Sequence, residues 1–134
     1  MHFYQQEAER LAVEQVVTSV RAALAAQAAS LYLRGNHAEI AALGSQNPMQ
    51  WLERPPPNYA GELDATRALK VAPGNWYFDR SALTLTYMLN NEEFFGRKRA
   101  NRLNFKVRFA QSNLNLTENH VGPRLSGVTL EQIE

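Results

Sequence analysis

Residues 4–34, YQQEAERLAVEQVVTSVRAALAAQAASLYLR, run for 31 positions without a glycine or proline and include eight alanines, so this stretch predicts one long helix that Gly35 ends. At about 100° per residue, Val13, Val16, Val17, Val20, Leu24 and Leu31 fall within an arc of about 100°, while Glu14, Thr18 and Arg21 are expected on the far side. Those six side chains are the face expected to dock on a core. Before Val13 the pattern fails: Glu9 projects at the angle of the apolar stripe and Leu11 points almost opposite. The first twelve residues are therefore expected to stay outside the packed body. A helix of this length is about 46 Å long, against a diameter of about 36 Å for a compact chain of this size. An overhang of residues 1–12, or a helix continued from an apolar segment outside the 134 residues, follows as the expectation.

Downstream the chain divides by composition. Residues 36–53 read as short helices: Asn36 as a cap for His37 to Leu43, stopped by Gly44, then Asn47-Pro48 as N-cap and first-turn proline. Residues 54–73, opening on Arg54-Pro55-Pro56-Pro57-Asn58, read as a stiff connector, because prolines fix φ and lack a backbone donor. From 74 to 134 the signal is β. Trp76-Tyr77-Phe78, the turn Asp79-Arg80-Ser81 and the alternating Leu83 to Leu89 make a hairpin. Leu103-Asn104-Phe105-Lys106-Val107-Arg108-Phe109 alternates strictly, and Gly127 to Leu130 offers a weaker fourth strand. The expected sheet core is Trp76, Phe78, Leu83, Leu85, Tyr87, Leu103, Phe105, Val107 and Phe109, with Tyr77 on the other face and partly exposed. The fold class is α+β: a single domain with a long N-terminal helix packed on a three- to four-stranded antiparallel sheet.

Composition narrows function by exclusion. Hydrophobic residues at 45% and charged ones at 20% place the chain among ordinary globular domains, and a net charge of +1 supplies no overall field for nucleic acid or an anionic membrane. Without cysteine it has no disulfide, thiolate nucleophile or cysteine-ligated zinc. No run reaches about 18 uncharged apolar residues. The motifs of serine hydrolases, phosphate loops, zinc proteases and calcium loops are missing. His2, His37 and His120 stand alone, and Glu92-Glu93 and Asp64 do not make an acid/base pair. No catalytic residue, metal site or cofactor is expected, and no small-molecule substrate. Arg97, Lys98, Arg99 and Arg102, beside Phe94-Phe95, form the single basic cluster. It is a possible contact for an anionic polymer, though it reads first as a solvated turn, so nucleic acid is not expected as a partner. Asn115-Leu116-Thr117 is a chance glycosylation tripeptide.

The order of these features resembles the soluble region of type IV pilins and type II secretion pseudopilins. The resemblance is carried by ERLAVEQVVTSVRAALAAQAASLYLRG, NPMQWLERPPPNYAGEL, PGNWYFDRSALTLTYMLN and LNFKVRF, which together span most of the chain. It implies a non-catalytic structural subunit, a minor pilin or pseudopilin, assembling with other pilin-like subunits through its long helix. The subunit would be periplasmic or at the cell surface, and anchored in the inner membrane by an N-terminal segment missing here. The family's leader glycine and assembly acid have no counterpart in these residues, and the C-terminal disulfide of many members is impossible. Two other classes fit the same pattern. One is a small cone-shaped α+β domain that binds a ligand or catalyses a reaction, which calls for five or six strands and a deep pocket lined by Trp76 and Phe105. The other is a nucleic-acid-binding module using the basic cluster.

Overall fold

A computed structural model describes residues 2–90, 101–109 and 127–134. Helix α1 spans His2–Leu33 and ends in a left-handed turn: Gly35 at φ 75° lets the Asn36 N–H reach back to the Leu31 carbonyl at 2.8 Å. Asn36 contributes this backbone bond and makes no side-chain cap to α2 (His37–Ala42), contrary to the expectation from its position. Two 3₁₀ turns follow, Leu43–Ser45 and Pro48–Trp51. In the second, the Met49 N–H donates to Asn47 Oδ1 at 3.0 Å, the cap anticipated for Asn47-Pro48.

Among the described residues, five strands form one mixed sheet in the order β1-β2-β3-β4-β5: Tyr59–Leu63, Trp76–Asp79, Thr84–Met88, Arg102–Phe109 and Val128–Ile133. From β2 to β5 the sheet is an antiparallel meander, with Trp76 opposite Tyr87, Leu85 opposite Phe105 and Val107 opposite Leu130. β1 lies outside β2 and parallel to it. Parallel neighbours need a crossover, and residues 64–75 supply it with the one-turn helix α3 (Ala65–Ala68), whose first turn is capped by Asp64 Oδ1 accepting the Arg67 N–H at 2.9 Å. The α+β class thus stands, while the strand count and the purely antiparallel pairing do not. The connector 54–73 contains a strand and a helical turn.

The helix stripe meets the sheet as its periodicity requires. Val13, Val17 and Val20 join Met49, Trp76, Phe78, Leu85, Tyr87, Leu103, Phe105 and Leu130 in the main core, with Val16, Leu83 and Val107 partly buried against it. A second cluster packs Leu24, Ala28 and Leu31 on Ile40, Leu43 and Val128. Phe109, expected in the core, is 42% exposed. It sits at the last position of β4, where its ring edge rests over Gly44 instead of under α1. Tyr77, expected to be partly exposed, is buried, because Ala68 of α3 and Met88 cover the second face of the sheet, with Leu63 and Val71 packed around them.

Candidate functional site

The first twelve residues do not behave as one stub. Glu9 is buried among the helix–sheet contacts, at the same helical angle as Val13 and Val20. Its Oε2 accepts three donors: the Tyr87 hydroxyl at 2.5 Å, the Asn90 N–H at 3.1 Å and the Asn90 side-chain amide at 2.8 Å. Three charge-assisted hydrogen bonds on one oxygen are what lets a carboxylate leave water. Glu9 Oε1 is buried with no hydrogen-bond partner among the described residues. Glu9 therefore pins the N-terminal part of α1 to the exit of β3, and in the stretch before it Tyr4, Gln5 and Ala8 are exposed, Tyr4 at 80%, while Gln6 and Glu7 are half-buried. A charged residue on an apolar stripe looks like the end of the stripe unless its partners, here 78 and 81 positions away, are known.

Tyr87 registers the same contact. Burial, then the hydrogen bond to Glu9 and the charge of that carboxylate, push its hydroxyl far above the ordinary phenol value of 10.0. A raised folded-state value means that the contribution is complete below pH 10 and is lost as pH rises beyond it. Phenolate absorbance should show Tyr87 ionising together with alkaline unfolding, and Tyr87→Phe should remove that part of the alkaline transition.

The outward side of α1 has its own pattern. Tyr4, Leu11, Ala22, Ala26, Ala29 and Leu33 recur at helical spacing on the side opposite Val13 and Val20, and all are exposed, Leu11 at 56% and Leu33 at 84%. Glu7, Arg10, Glu14 and Arg21 are absent from this face. Arg10, Glu14 and Arg21 instead line a groove of about 410 Å³ between α1 and strands β4 and β5, and Arg21 Nε donates to the Leu130 carbonyl of edge strand β5 at 2.9 Å. From Ala22 to Leu33 the helix carries no charge. By length and composition Tyr4–Leu33 is apolar enough to cross a membrane, yet only 28% of its most apolar window is buried, whereas the core helix of a soluble protein hides most of such a window.

No family model, curated protein or solved structure matches the chain. The functional reading therefore rests on the residues themselves. Arg97, Lys98 and Arg99 lie outside the described residues, as do Phe94, Phe95, Glu92, Glu93, His120 and Asn115 to Thr117. Arg102 opens β4 opposite Met88 and is partly exposed. For the cone-shaped alternative, the fifth strand is present. The groove beside Phe105 is a different matter: it does not reach Trp76, which is closed off against Tyr87 and Phe105 with ring centroids 5.1 and 5.7 Å apart, and its floor residues Val13, Val17, Leu103 and Phe105 are each at most 6% exposed. An apolar ligand would gain little area there.

Proposed function

We propose that this chain is the globular part of a non-catalytic filament subunit of the type IV pilin or type II secretion pseudopilin kind. In this reading one face of α1 serves the fold and the opposite face serves assembly with other pilin-like subunits. The observation that carries it is the pairing of two apolar faces on one helix. The inner one is filled by the sheet, and the outer one is uncharged, rich in alanine and exposed along its length. A helix with a single buried face places its charges on the far side. Here the charges are confined to a flank, and small side chains at Ala22, Ala26 and Ala29 would let another helix approach closely. The mostly exposed stretch Tyr4 to Ala8 would contact neighbouring subunits, and the sheet would face outward. Anchoring in the inner membrane, with the domain in the periplasm or at the cell surface, belongs to the same proposal.

The reading frame immediately upstream of Met1 provides the test. A continuous helix-forming stretch with about 20 apolar residues is expected there. An in-frame stop, or a polar upstream sequence, would contradict the proposal.

A further inference from the structure

A second opening, unconnected with the helix faces, lies where the Leu43–Trp51 turns meet β1 and the β2–β3 turn. It is a cleft of about 340 Å³ that opens to solvent, with Gln46, Asn47, Gln50, Glu62 and Arg80 on its sides and Phe78 and Leu83 as an apolar wall. That volume is at the lower end of small-ligand sites.

Three features make it a built site. Glu62 is held in place: Asn47 Nδ2 donates to Glu62 Oε2 at 3.0 Å and to the Tyr59 hydroxyl at 2.8 Å, while Asn47 Oδ1 takes the Met49 N–H. Asn47 is itself buried, so the amide that aims the carboxylate has no freedom to turn away. Second, Glu62 and Arg80 are opposite charges on one cleft that do not pair. The ion pairs among the described residues are Arg10–Glu7 and Arg108–Glu131. Third, Leu83 adopts φ 54°, a left-handed conformation that is a genuine outlier for a bulky residue. It is held there by the turn at Asp79, whose Oδ1 accepts from Ser81 and Ala82, and it puts the Leu83 side chain between the core and the cleft.

We propose that this cleft binds a small zwitterion of the free α-amino acid class, with its carboxylate on Arg80, its ammonium on Glu62 and its side chain against Phe78 and Leu83. A guanidinium takes a carboxylate through two parallel donors, and a fixed carboxylate takes an ammonium. The Gln46 and Gln50 amides, which bond each other at 3.3 Å, add a donor and acceptor rim that suits a net-neutral polar ligand. The site would add a function to the proposed assembly and departs from the expectation of no small-molecule substrate. It does not depend on the filament reading.

The test is a titration of the isotope-labelled chain with L-leucine, followed by NMR. Saturable shifts are expected at Leu83 and at the side-chain amides of Gln46 and Gln50, with a Kd of order 1–10 mM given an open cleft. Isovalerate and isoamylamine, which each carry one of the two charges, should bind about tenfold more weakly. Arg80→Gln should weaken L-leucine binding by about tenfold with the melting temperature unchanged, and Glu62→Gln should do the same even if it loosens Asn47. The proposal is overturned if no saturable shift appears by about 50 mM L-leucine, if the half-molecules bind as well as the zwitterion, or if Arg80→Gln binds normally.

Discussion

Glu9→Ala is expected to lower the stability of the domain by about 2–3 kcal/mol, a fall in melting temperature of roughly 6–12 °C for a chain of this size. The substitution leaves the buried Tyr87 hydroxyl without its acceptor and releases two donors of the exposed Asn90 toward solvent, since all three bond one oxygen of Glu9. Removing a buried charge offsets part of that loss, which keeps the figure below the sum of three charged hydrogen bonds. Glu9→Leu separates the two contributions: it fills the space and removes the charge but satisfies none of the donors, so it should recover part of the stability and not all of it. Truncation gives an independent reading of the same boundary. Deleting residues 1–8 should change the melting temperature by no more than about 1–2 °C, because Tyr4, Gln5 and Ala8 are exposed and Gln6 and Glu7 only half-buried. Deleting residues 1–12 should match Glu9→Ala. Equal effects of the two deletions would place the boundary elsewhere.

Trp76→Ala should cost more, about 3–5 kcal/mol. Trp76 is 1% exposed and touches both layers of the fold, its ring tilted against Tyr87 and Phe105 and its cluster completed by Val13, Val17 and Val20 of α1. A cavity at that point lies between helix and sheet, where neither element can collapse without giving up its other contacts. Thermal or denaturant unfolding measures it, and a loss below about 1.5 kcal/mol would show that α1 can settle onto the sheet without the ring.

What the sequence made legible follows from which interactions are periodic. The stripe Val13 to Leu31 and the alternation in Leu103 to Phe109 are local patterns, and both elements form where they were read. Strand β1 was hidden because Tyr59-Ala60-Gly61-Glu62-Leu63 sits between a proline run and an N-cap, with Gly61 at φ 105° and a register break beside it. Its pairing with β2 is parallel, and no turn signature announces a parallel neighbour. A four-residue helix such as α3 is shorter than any period that could reveal it. Glu9 failed to read as a core position for a different reason. Its meaning lies in Tyr87 and Asn90, far along the chain, and the one local hint was that it shares the angle of the valines. The cleft at Glu62 and Arg80 was equally hidden, because it is assembled from the 3₁₀ turns, β1 and the β2–β3 turn, which only the fold brings together.

The outer face of α1 did not emerge from the sequence, where Glu14, Thr18 and Arg21 read as lying opposite the docking stripe; Glu14 and Arg21 line the flanking groove, and the burial pattern sets the exposed alanines apart from the docking face. The role of the outer face is tested most directly by oxidative cross-linking of single cysteines introduced into this cysteine-free sequence, within the complete gene product in its own host. Cysteine at Leu11 or Ala26, on the outer face, should give disulfide-linked dimers in the cell envelope. Cysteine at Lys70, exposed beyond α3, should stay monomeric. Dimers at Lys70 as abundant as those at Ala26, or monomers at all three positions, would contradict assembly through the outer face of α1.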